Sequence, residues 1–130
     1  MSQIRRFEDL EVWKLAIDCA ERIYEATSGG RFGQDFALRN QIRSSAISIF
    51  SNIAEGFERD GNREFANFLS IAKGSCGEAR AQLIFANRVS HISDQTLTDI
   101  QARLEETSRQ LSRFRNYLLS SDYRGRKRIG

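Results

Sequence analysis

The chain has no proline, one histidine, one tryptophan, one methionine and two cysteines in 130 residues. Without proline, nothing in the backbone forbids helices that run almost unbroken through the sequence. The single histidine, His91, stands alone at the end of a predicted helix, so neither a metal site nor a Ser-His-Asp arrangement can be built around it within one chain. Cys19 and Cys76 are too few for a disulfide framework and both fall on apolar stripes. They read as small core residues of a reduced, cytoplasmic protein. No apolar run is long enough to cross a bilayer, which removes a membrane role. A charge of one sign is also missing: 20 Lys and Arg face 17 Asp and Glu, a net +3 and a milder basic excess than dedicated nucleic-acid binders carry. "GGRFGQ" lacks the glycine spacing and the Lys-Ser pair of a phosphate loop, and nothing else resembles a catalytic motif. No enzyme, no metal and no cofactor is expected.

What is present is apolar periodicity of the helical kind. A chain of this length fits one domain with a core of its own. A first helix is predicted from about Asp9 to Thr27, with Leu10, Trp13, Ile17, Ala20 and Tyr24 on one stripe and Val12, Ala16, Cys19, Ile23 and Ala26 on an adjacent one. "SGGRFGQD" (Ser28 to Asp35) reads as a loop whose last residue caps a second helix, from about Phe36 to Phe57. "ERDGN" is the next turn, with Asn62 as the cap of a third helix reaching about Ile92. Ser93 or Asp94 caps a fourth that ends near Ser121. The last two helices keep seven-residue apolar repeats, the period that left-handed bundle packing requires. The fold class expected is all-α, an antiparallel up-down-up-down four-helix bundle over residues 1–122, followed by a poorly ordered basic tail over 123–130. The first two helices each carry two apolar stripes, more than one small bundle buries, so the bundles are expected to associate into a homo-oligomer.

The second helix also holds "SSAISIFSNIAEG" (Ser44 to Gly56), with Gln41, Ser44, Ser45, Ser48, Ser51, Asn52 and Glu55 on one nearly uncharged arc. Such an arc reads as a close helix-helix seam in which Asn52 and Glu55 bond a neighbouring element such as the "KGS" of the third helix. Gly74, Ser75 and Gly77 there are small residues in mid-helix, where each glycine costs about 1 kcal/mol and so calls for a packing reason. A ligand-binding or catalytic role for Asn52 and Glu55 lacks a second carboxylate or a histidine nearby. Arg39 and Arg43 fall in the apolar half of the second helix, where a guanidinium needs a partner; pairing between subunits, with Glu21 or Glu25, is the expectation.

The third helix projects Arg63, Lys73, Arg80 and Arg88 within an arc of about 100°, with no acidic residue interleaved. With Arg124, Arg126, Lys127 and Arg128 of the tail, these cations form a candidate surface for the phosphate backbone of RNA or DNA. No aromatic residue is seen among them, so base stacking is not expected.

"FEDLEVW" (Phe7 to Trp13), "LRNQIRSSAISIFSNIAEGFER" (Leu38 to Arg59) and "EFANFLSIAKGSCGEARAQL" (Glu64 to Leu83) resemble the four-helix-bundle proteins encoded in intervening sequences of bacterial 23S rRNA genes. The fourth helix matches only in its pattern. Two positions depart from that family, which often has proline where Phe50 stands and near Gly33. The resemblance implies a ring-shaped homo-oligomer, in typical members a pentamer. The chain is more distantly similar to the accessory variability determinant proteins of diversity-generating retroelements, which form basic pentameric barrels that associate with nucleic acid. The function expected is a non-enzymatic, homo-oligomeric scaffold with salt-sensitive RNA or DNA binding on its basic face. The alternative is a protein–protein interaction module without a nucleic-acid role. A site shared between subunits would have to draw on Glu55, Arg59 and His91.

Overall fold

In the computed structural model, which describes residues 4–122, a 3-10 turn at Phe7–Asp9 leads into α1 (Glu11–Ala26). A five-residue helix α2 (Gly30–Gln34) follows, then three long helices: α3 (Phe36–Glu58), α4 (Asn62–Arg88) and α5 (Asp94–Asp122). The four long helices pack antiparallel. α4 lies against α3 on one side and α5 on the other, and α1 closes the bundle between α3 and α5, diagonally across from α4. Tyr123 to Gly130, with the tail cations Arg124, Arg126, Lys127 and Arg128, lie outside the described residues.

The core follows from the three-and-four spacing of apolar side chains. Val12, Ala16, Cys19 and Ile23 of α1 are buried, as are Ile42, Ala46, Ile49 and Ile53 of α3. On α5, Leu104, Leu111 and Leu118 repeat at intervals of seven and are fully buried. Each such leucine contributes about 1.5–3 kcal/mol relative to an exposed one. The one polar side chain in that row, Thr107, donates its hydroxyl to the Arg103 carbonyl at 2.8 Å and lies 3.5 Å from the Cys19 Sγ.

The ends of the elements differ from the sequence expectation at three places. The glycine-rich stretch after α1 is not only a loop: it winds into α2 and so turns Phe32 inward to 1% exposure, its ring 5.2 Å from that of His91. Asn62 is not the cap of α4. Gly61 holds that position at φ +96°, a conformation that favours glycine, and Asn62 is buried as the first helical residue. α4 also stops at Arg88, short of Ile92, because Ser90 enters the left-handed region at φ 66°. Its N–H bonds the Asn87 carbonyl at 3.0 Å and that of His91 bonds the Ala86 carbonyl at 2.8 Å, the paired bonds of a Schellman ending. Two expected caps are present: Asp35 accepts from the Leu38 N–H at 3.2 Å, and Ser93 from the Thr96 N–H at 3.1 Å.

A close approach lies where α3 meets α4, at Gly56. A Cβ added to Gly56 would lie 2.7 Å from the Phe68 Cβ and 2.8 Å from a ring carbon of Phe65. Phe65 cannot yield, because it is fully buried between Phe57 and Phe114, at centroid distances of 6.0 and 5.2 Å. Gly56→Ala is therefore expected to lower the urea midpoint. Overpacking costs about 1–3 kcal/mol and exceeds the gain of up to about 1 kcal/mol in helix propensity. An unchanged or raised midpoint would contradict the close approach.

Candidate interaction surfaces

Only part of the small polar arc of α3 forms the seam with α4: Ser45 and Ser48 bond across it, Asn52 bonds within its own helix rather than a neighbouring element, and Gln41, Ser44 and Ser51 are exposed. Ser75 donates its hydroxyl to the Ser48 Oγ at 2.8 Å, and Asn52 donates to the same Oγ at 3.0 Å and to the Ser48 carbonyl at 2.8 Å. One turn earlier, Ser45 Oγ and Gln82 Oε1 are 2.9 Å apart. Short side chains bring the two backbones together, and their hydroxyls satisfy one another instead of facing apolar walls. Glu55 does not take part. It accepts from Arg59 at 2.6 Å, and Arg59 also reaches Glu64 at 3.0 Å while lying over the Phe68 ring at 4.9 Å. The hydrogen bond that Arg59 donates to Glu55 raises the Arg59 pKa.

Gly74 corrects the seam expectation more sharply. A Cβ on Gly74 or on Gly77 would meet nothing within 4 Å, so neither glycine faces α3. Because Ser75 points into the seam, its predecessor, about 100° away on the wheel, points out of it. Around these glycines α4 exposes Ile71 (51%), Ile84 (41%) and Phe85 (54%). A second apolar surface lies between α1 and α3, a groove of about 340 Å³ lined by Ile17, Ala20, Glu21, Tyr24, Ile47 and Phe50.

The two arginines of α3 find partners in their own chain, not the carboxylates expected of them. Arg43 donates to the Thr27 Oγ1 at 2.8 Å and lies over the Tyr24 ring at 4.1 Å, a cation placed at the C-terminal end of α1. Arg39 donates to the Gly33 carbonyl at 3.0 Å and covers Phe36 at 4.7 Å.

The cations of α4 are not equivalent. Arg80 is held by Glu105 at 3.1 Å and Gln101 at 2.8 Å, which takes it out of a free phosphate-binding set. Lys73 and Arg88 form no ion pair among the described residues, Lys73 half-buried and Arg88 exposed; Arg63 is exposed at the start of the helix. Contrary to the expectation of no aromatic neighbour, the exposed Phe85 sits one turn before Arg88.

Glu55 and Arg59 lie at one end of α3 and His91 at the other, against Asp35. The 23 residues of that helix separate them by about 35 Å within one chain. Both cysteines are buried, and burial pushes the Cys76 thiol up to about 12 and raises that of Cys19. Among the described residues no group of three His, Cys, Asp or Glu could hold a metal, and no helix is long and apolar enough to cross a membrane.

This arrangement has relatives. Residues 8–113 match the family model described as 23S rRNA-intervening sequence protein. The chain belongs to that family. It is also similar to a crystal structure of a protein of unknown function from the S23 ribosomal protein family of Bacteroides thetaiotaomicron, with a TM-score of 0.70 at 25% identity over 77% of this chain and 94% of that one. No curated protein matches the sequence.

Part of the seam was legible in the sequence of this family member, but the outward face of α4 was not, although Ile71, Ile84 and Phe85 all fall off the heptad core. Nor was a clasp between the α4–α5 turn and the start of α3. His91 Nε2 lies 2.9 Å from the Asp35 Oδ2, with the imidazole nine-tenths buried against Phe32. The His91 hydrogen bond, and then the Leu38 N–H, lower the Asp35 pKa from its ordinary 3.8. A carboxylate depressed in the folded state stabilises fully above its unfolded value, and that contribution is lost as pH falls through the folded one. Asp35→Asn is expected to lower the thermal midpoint at pH 7 and to flatten its fall below about pH 4. Parallel curves for mutant and wild type across the acid range would contradict the clasp.

Proposed function

We propose that this family member is a cytoplasmic, non-enzymatic scaffold, a homo-oligomeric ring of helical bundles, and a pentamer as its family resemblance implies. The observation that carries the assembly is apolar surface left outside a core that is already full. Ile71, Ile84 and Phe85 on α4 and the groove between α1 and α3 stay open to solvent while 24 apolar residues fill the interior. Exposed apolar surface on two faces is the mark of a protein that buries them in an assembly.

The scaffold is further proposed to hold RNA or DNA through sequence-independent phosphate contacts. With Arg80 committed to Glu105, and with Ile84 and Phe85 beside Arg88, these contacts fall chiefly to Lys73 and to the tail cations Arg124, Arg126, Lys127 and Arg128. The apolar character of the α4 face favours the second reading, a protein-interaction module with no nucleic-acid role.

One experiment separates the two. The protein is sized by light scattering and then titrated, by gel shift, with a structured RNA and a duplex DNA at low and moderate salt. A particle of several 14.9 kDa chains is expected. Binding should weaken on the order of a hundredfold between about 50 and 200 mM salt and be lost when Lys73 and the tail cations are changed to glutamine. An assembled particle that shifts neither probe at low salt establishes the interaction-module reading; a monomer at every concentration contradicts the scaffold.

A further inference from the structure

We propose that the outer face of α4 is a ridge that seats in the α1–α3 groove of a second copy of this chain, so that copies join head to tail. This rests on the self-assembly proposed above and adds which surfaces meet. The two apolar surfaces are unlike in shape and in residues. One is a concavity lined by Ile17, Tyr24, Ile47 and Phe50; the other is a single helix face bearing Ile71, Ile84 and Phe85. They belong to helices on different sides of the bundle, so one copy offers both at once. Two unlike surfaces that fit each other form a heterologous contact, which generates rings when the rotation closes.

Two independent observations point to a second copy as the occupant. The first is Gly74 and Gly77, each costing about 1 kcal/mol in mid-helix with nothing among the described residues to pack against. They leave the crest of α4 low, so that another backbone can approach it. The second is charge. Glu21 lines the groove and Glu25 stands one turn on, both exposed and neither in an ion pair among the described residues; Arg88 at the end of α4 is likewise exposed and without a carboxylate, and the exposed acid of the same ridge, Glu78, stands ten residues before it, about 15 Å away along the helix.

The levels of these charges also agree. Asp18 of α1 bonds Arg103 at 2.9 Å, and Arg80 of α4 bonds Gln101 at 2.8 Å, so α5 sets residues 18 and 80 at nearly the same height. From there α1 and α4 run the same way. Glu25 and Arg88 lie seven and eight residues on, about 10–12 Å further in each helix. Copies related by rotation about an axis along the bundle keep their height, which brings Arg88 of one to Glu25 of the next.

The test mixes two variants at exposed positions: Ile47→Arg, which fills the groove, and Ala81→Arg, which puts a charge on the ridge. Circular dichroism checks that each retains its helix content. Each variant alone is expected to sediment as a 14.9 kDa monomer, and an equimolar mixture as a dimer and nothing larger, because one intact groove then meets one intact ridge. A mixture that stays monomeric, or a single variant that keeps the size of an assembled wild type, overturns the ridge-in-groove contact while leaving self-assembly standing. A wild type that is itself monomeric overturns both. As a second measurement independent of those variants, Glu25→Arg and Arg88→Glu should each raise the dissociation constant about tenfold or more, and the double variant should restore it; no restoration contradicts the pairing.

Discussion

The close approach of α3 and α4 is the constraint on which the rest of the structure depends. Gly56, whose missing Cβ makes room for Phe65 and Phe68, fixes the spacing at one end, and the hydroxyls of Ser48 and Ser75 fix the register in the middle. Once Ser75 is turned into the seam, Cys76 and Ala72 must face the core, and Gly74, Ile71 and Phe85 must face away. The exposed apolar face of α4 is thus a consequence of helix geometry acting on one polar contact. A change that moved Ser75 out of the seam would also rotate the outer face.

The four long helices were legible because their apolar residues recur at three and four positions, a pattern no strand or loop imitates over about four turns or more. Less legible was what each face packs against. Gly74 and Ser75 are adjacent small residues, yet one lies in a seam and the other on the surface, a difference that only the neighbouring helix reveals. Local breaks were misread for similar reasons. Three glycines concealed α2, which forms because Phe32 gains a buried seat beside His91, and Ser90 ended α4 by adopting a left-handed conformation that its residue type does not announce.

Charge shows the same limit. The basic arc of α4 was visible as a set of positions, but its availability depends on acids elsewhere in the chain. Glu105 removes Arg80 from the set, and Asp18, Arg22, Asp99 and Arg103 tie α1 to α5 in a network of their own. Such exposed pairs add little to stability. Their effect is to decide which charges remain for a partner: Arg88 at the end of the α4 face, with Glu78 further back on it, and Glu21 and Glu25 beside the groove, so that Arg88 and Glu25 are opposite in sign and both beside apolar surface.

The central claim is that these faces are covered when the protein is assembled. Hydroxyl-radical footprinting over a range of protein concentrations tests it most directly, because three exposed aromatic residues act as internal reporters. In a single chain Phe85 is 54% exposed and Tyr24 38%, while Tyr117, on the polar side of α5, is 54% exposed. The account predicts that Phe85 and Tyr24 lose reactivity together as concentration rises while Tyr117 does not. Equal labelling of all three at every concentration would contradict it.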